Sequence, residues 1–103
     1  MNENELDLSQ ADTAEIEEQY YSFEQAASMT AVSVTLVQRL VTLNVIEAED
    51  SQLHPRELAR LAQVLRLRHD LGVNWVGAGL VLDLTQEISR LKARLKAYQG
   101  QSE

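Results

Sequence analysis

Two histidines, several serines and one pair of carboxylates at helical spacing are the residues of this chain to which chemistry could be assigned. Nucleophilic catalysis needs a Ser or Cys beside a His that a third group orients. His54 stands at a helix start and His69 inside a helix, and the sequence places no such set around either. There is no G-x-S-x-G, no Walker loop and no H-E-x-x-H, and Gly77-Ala78-Gly79 lacks the preceding strand and third glycine of a dinucleotide loop. Asp83 and Glu87 share a helix face, yet Arg90 follows Glu87 by three residues, so the pair reads first as a solvated stripe. Two His without any Cys cannot complete a structural zinc shell. The residues imply no enzyme, no catalytic residue, no cofactor and no metal site.

Charge carries more information. Sixteen acids against nine bases give −7, and the imbalance is uneven. Residues 1–55 hold eleven acids and only Arg39 as a base, a balance of −10, whereas residues 56–103 hold five acids and eight bases, a balance of +3. Nucleic-acid affinity comes largely from Lys and Arg that displace counterions from phosphates, so a DNA-reading role for the first half starts at a disadvantage. An acidic half favours a basic protein partner instead. The acidic N-terminus (Asn2, Glu3, Asn4, Glu5, Asp7) is unlike a secretory signal. The longest apolar-rich stretch, Leu71 to Leu82, is about a dozen residues against the roughly 20 of a membrane helix. A soluble, cytoplasmic protein with no membrane contact is expected, and the absence of Cys permits a reducing compartment.

These residues must be positioned by a small, mainly helical fold. Residues 1–19 read as an acidic flexible tail, and residues 20–72 as a winged helix-turn-helix-like domain. Ser22 with Gln25 forms the signature of a capping box before Phe23, Ala26 and Ala27. Ser33 caps a second helix carrying Val34, Val37, Leu40 and Val41, which Asn44 can end in the left-handed conformation. Val45 to Leu53 reads as a small hairpin or vestigial wing. Pro55 suits the first position of a third helix that Gly72 stops. Asn74 caps a long last helix over 73–98, with 99–103 as a disordered end. Gly77 and Gly79 in its first turns would let another backbone approach.

The helix, tight turn, helix and short wing have the layout of a DNA reader without its surface. The second helix offers Ser33, Thr35, Gln38, Arg39 and Thr42, and the wing offers Glu47, Glu49 and Asp50 where a phosphate grip needs bases. The stretch from Tyr21 to Leu82 resembles the N-terminal domain of MerR-type regulators. The likeness rests on Tyr21-Ser22-Phe23-Glu24-Gln25-Ala26-Ala27, Ala31-Val32-Ser33-Val34-Thr35-Leu36, Leu43-Asn44-Val45-Ile46 and Leu67-Arg68-His69-Asp70-Leu71-Gly72-Val73. Ala31 and Asn44 stand where those regulators usually have Gly, and the arginines of their wing are missing. The run Leu65-Arg66-Leu67-Arg68-His69-Asp70-Leu71-Gly72-Val73-Asn74-Trp75-Val76-Gly77-Ala78-Gly79, with Glu87-Ile88 and Arg90-Leu91, is similar to the chaperone-modulator (CbpM-like) family, over about residues 20 to 98. That resemblance implies a protein that binds the J-domain of a CbpA-type, DnaJ-like co-chaperone and inhibits both its stimulation of Hsp70 and its DNA binding. The alternative is a MerR-like transcription factor that binds DNA as a dimer.

Within the family hallmark, Asp70, Trp75, Asp83 and Glu87 are the expected partner-binding residues, the acids facing a basic J-domain helix. Trp75 also reads as an anchor for the corner between the last two helices, and the acids as a solvated face. Val81, Leu84, Ile88, Leu91, Leu95 and Tyr98 alternate steps of three and four, which makes a seam for another helix. It either packs within the protomer or pairs with a second copy, and the homodimer is favoured because the helix is long for so small a domain. Arg56, Arg60, Arg66 and Arg68 either meet the acidic first half or engage carboxylates on a partner.

Overall fold

The computed structural model describes residues 19–101, so the expected acidic tail, apart from Gln19, lies outside the described residues, as do 102 and 103. The chain divides into two units after Ala62. The fold is mainly helical, a winged helix-turn-helix with a vestigial wing followed by a long last helix.

The first unit contains β1 (Tyr21–Ser22), α1 (Phe23–Thr30), α2 (Val34–Thr42), β2 (Gln52–Leu53) and the opening turns of α3 (Pro55–Leu71). Ser22 closes the expected capping box: its Oγ accepts from the Gln25 amide at 3.0 Å and its own amide donates to Gln25 Oε1 at 2.8 Å. Ser33 caps α2 by accepting from the Leu36 amide at 3.0 Å. Each such cap contributes on the order of 1 kcal/mol. Ala26, Ala27, Val37, Leu40, Val45, Ile46, Leu53 and Leu61 are buried and form the core of this unit.

Both helices end in the same way. At the end of α1 the amide of Val32 donates to the Ala27 carbonyl and that of Ala31 to the Ser28 carbonyl. At the end of α2 the amide of Val45 donates to the Leu40 carbonyl and that of Asn44 to the Val41 carbonyl. This is the Schellman pattern, and its turning residue must be left-handed. Ala31 has φ 61° and Asn44 φ 62°, a conformation that Gly adopts without steric cost. Asn tolerates that conformation, whereas Ala pays roughly 1–2 kcal/mol for it.

The wing differs from the hairpin expected over 45–53. Val45 and Ile46 are buried core residues rather than a strand. The hairpin shrinks to its tip, where Glu49 and Gln52 exchange two backbone hydrogen bonds of 2.9 Å and Asp50 and Ser51 both have positive φ. Positive φ at both central residues is the mark of a type I′ turn, whose twist matches paired strands. β2 then pairs antiparallel with β1, Tyr21 opposite Leu53 and Ser22 opposite Gln52. Tyr21 and Ser22 thus form a strand as well as the entry to α1.

Pro55 opens α3 as expected, with His54 Nδ1 accepting from the Arg56 amide at 2.9 Å. In the second unit Gly72, at φ 71°, stops that helix. Asn74 Oδ1 caps α4 (Trp75–Gln101) by accepting from the Gly77 amide at 2.7 Å. A Cβ at Gly77 would meet Asn74 Oδ1 at 3.2 Å and the Val73 Cβ at 3.4 Å, so its nearest neighbours are the cap itself rather than another backbone. The helix continues three residues past its expected end at Tyr98, and 99–101 are helical rather than a disordered end. Ala78, Gly79 and Leu82 are buried, whereas every residue from Asp83 to Gly100 is exposed.

Candidate partner-binding surfaces

The first candidate surface lies on the first unit, where a winged reader would meet DNA. Ser33, Thr35, Gln38, Arg39 and Thr42 of the α2 segment are all exposed. The Thr42 hydroxyl is already donated to the Gln38 carbonyl at 3.1 Å. Arg39 is the one cation of this face, and Glu47, Glu49 and Asp50 are exposed on the wing. Backbone and side-chain contacts fix this segment. The Tyr20 hydroxyl donates to Glu49 Oε1 at 3.0 Å, and its ring meets His54 edge-on at 5.4 Å. The Glu47 amide donates to Glu57 Oε1 at 3.0 Å, and Arg60 Nε donates to the Val45 carbonyl at 2.6 Å. A phosphate approaching this wing meets carboxylates where it needs ammonium or guanidinium groups.

The second surface lies on the other unit. Trp75 is half-buried, with the Arg68 guanidinium 4.3 Å above its ring. Arg68 also donates to the Val73 carbonyl at 3.3 Å across the Gly72 break. Leu65, Arg68, His69, Gly72 and Trp75 line a shallow depression at this corner. Trp75 thus meets Arg68 at this corner, and the available sequence signal was a guanidinium and an indole on either side of a helix break. Asp70 lies in the last turn of α3 with an exposed side chain, 3.2 Å from His69 Nδ1. Asp83 and Glu87 are one turn apart on α4 and both exposed. Glu87 accepts from Arg90, and that hydrogen bond, helped by the guanidinium charge, holds its carboxyl below the ordinary carboxylate range. Of the four expected partner-binding residues, the structure brings Asp83 and Glu87 onto one helix face and gives Asp70 and Trp75 separate local contacts.

Four arginines had no assigned partners in the sequence. Arg60 reaches the Val45 carbonyl and Arg68 the Trp75 ring, so both act within their own unit.

The seam lies on the same helix. Leu84, Ile88, Leu91, Leu95 and Tyr98 are 48–65% exposed, so packing against the other described residues does not cover them. Val81, the first residue of the expected seam, is half-buried, while Leu80 and Val76 add exposed apolar surface one and two turns before Leu84. Their i, i+4 spacing with Leu84 was the available signal. Among the described residues no cluster of His, Asp and Glu could hold a metal ion, and no helix is long and apolar enough to cross a membrane.

The sequence model of the family described as MerR HTH family regulatory protein matches residues 21–99, which takes in both helices of the helix-turn-helix, the wing, α3 and nearly all of α4. No curated protein and no solved structure matches the chain. Helix-turn-helix, residual wing and long last helix together with this match place the chain in the MerR HTH family of regulatory proteins.

Proposed function

We propose that this regulator is a chaperone modulator of the cytoplasm, which binds the J-domain of a CbpA-type, DnaJ-like co-chaperone and inhibits its stimulation of Hsp70 and its DNA binding. One observation carries the reading: the α2 face and wing keep the shape of a DNA reader while presenting Glu47, Glu49 and Asp50 with Arg39 as their single cation. A fold whose site chemistry has been replaced is weak support for the ancestral function. Acidic surface suits a basic protein helix, where complementary charge steers encounter and excludes wrong partners. The resemblance of Leu65 to Gly79 to the chaperone-modulator hallmark supplies the identity of that partner. Asp70, Trp75, Asp83 and Glu87 are the proposed contact residues.

The test is retention of the isolated J-domain by the immobilised full chain, with a short DNA duplex run in parallel. Retention that weakens with salt supports the proposal, and reversal of Asp70 and Asp83 to Lys should lower affinity on the order of tenfold. A duplex bound at low salt without any J-domain retention would replace it with the DNA-binding reading.

A further inference from the structure

We infer that the corner between α3 and α4 binds an acidic side chain of another protein, with the Arg68 guanidinium as the group that receives the carboxylate. Arg68 is exposed in the last turn of α3, yet it is fixed from two directions. The Trp75 ring lies 4.3 Å beneath its guanidinium, and its Nη1 donates to the Val73 carbonyl at 3.3 Å. The N–H groups of a guanidinium lie in its own plane, so a ring that covers the face leaves the donating edge open. Val73 takes one of these N–H groups, and among the described residues no carboxylate pairs with the others. A long side chain ordinarily loses rotamer freedom when it binds. Here ring and carbonyl have already ordered it, which lowers the entropic cost of docking.

The surroundings of the guanidinium select the ligand. Leu65, Arg68, His69, Gly72 and Trp75 line a depression of about 360 Å³. That is near the lower end of the range for small-molecule sites, and the depression is shallow, so it suits one or two side chains of a protein segment rather than an enclosed metabolite. Gly72 turns the chain at φ 71° and brings no side chain; a Cβ there would meet nothing within 4 Å, so that side is open to an approaching segment. Leu65 and the Trp75 ring offer apolar walls to the residue beside the acid. The planar fork of Arg matches carboxylate and phosphate alike. Asp70 decides between them. It is exposed at the same corner, 3.2 Å from His69 Nδ1, and within residues 63–75 only Arg66 and Arg68 oppose it. A nucleic-acid strand would bring several phosphates past that carboxylate, whereas a single acidic side chain avoids the repulsion. The modulator reading enters at one point only, the identity of the protein that carries the acid. On that reading Asp83 and Glu87 meet its basic helix while Arg68 meets an acid, and contacts of opposite sign fix one orientation of docking.

Trp75 is the single Trp of the chain, so its emission reports this corner directly. The full chain is titrated at constant ionic strength with two blocked tripeptides, acetyl-Leu-Asp-Leu-amide and its Asn counterpart. The Asp peptide should give a saturable change in emission and bind at least about tenfold more tightly than the Asn peptide. Arg68→Lys keeps the charge but loses the fork, and should weaken the Asp peptide on the order of tenfold, whereas Arg66→Lys should leave it unchanged. A flat titration, equal binding of the two peptides, or equal losses from the two substitutions would each overturn the inference. So would the same change with inorganic phosphate at the same concentration, because the corner would then take any anion. Circular dichroism confirms that both variants fold. Retention of the J-domain is measured beside these titrations. A native chain that takes the Asp peptide but no J-domain upholds the corner and ends the modulator reading. J-domain affinity unchanged by Arg68→Lys, with the J-domain still bound, would remove the corner from that contact.

Discussion

In the first unit the helical apolar pattern is buried, and in α4 beyond Leu82 the described residues leave it exposed. Val37 and Leu40 recur at helical spacing and are fully buried; Ile88 and Leu91 recur at the same spacing and are about half exposed. The same periodicity therefore means a core in one place and an unmet contact in the other. The difference lies in what surrounds each helix. α1 and α2 are short, capped by Ser22 and Ser33 and closed by left-handed turns, which returns each helix against its neighbour. α4 meets no such turn after Asn74 and runs on for 27 residues.

Substitutions should separate the two regions. Leu40→Ala removes a fully buried side chain and should lower unfolding free energy by about 2–5 kcal/mol in a urea titration. Leu91→Ala, measured at concentrations where the chain is monomeric, should change it by less than about 0.5 kcal/mol. Equal losses would erase the distinction between core and seam.

The turns offer a gain rather than a loss. Ala31→Gly relieves an L-residue held at φ 61° and should stabilise the first unit by about 1 kcal/mol, after the greater chain entropy of Gly is counted. Ser51→Gly, at φ 60° in the wing turn, should act in the same direction. Thermal unfolding of the single and double variants checks both. A smaller effect is expected at the corner, where Arg68→Ala removes the guanidinium from the Trp75 ring. About 0.5 kcal/mol should be lost, and the Trp emission should change.

Acid gives the smallest effect. The Glu87 carboxyl is held below its ordinary range by Arg90, so the folded helix favours its charged form. The stabilisation is fully present at neutral pH and is lost as pH falls through the lowered value. Far-ultraviolet ellipticity of the native chain should fall more on acidification than that of Glu87→Gln, in which the ion pair is already gone.

Much of the fold was legible because its signals are local. Ser22, Ser33 and Asn74 accept from amides three residues on, Asn44, Pro55 and Gly72 act through their own backbone angles, and each sits where its chemistry places it. The pairing of Tyr21–Ser22 with Gln52–Leu53 was not legible, since two-residue strands show no alternation and the partners are distant in sequence. The far end of α4 lies three residues beyond the expected Tyr98, and the helix passes through Gly100. At the candidate surfaces, the acids of the wing could be read directly, but the Tyr20 contact to Glu49 and the Arg68 contact to Trp75 depend on how turns fold back. The line of the seam was visible, whereas its exposure depends on tertiary packing that a local pattern does not encode.

Tyr20 has a consequence for everything that precedes it. Fastened to Glu49 and set against His54, it fixes the point at which the N-terminal segment joins the fold, and that point is beside the wing. The covalent path from the seven acids of residues 1–18 into the fold thus enters at the wing.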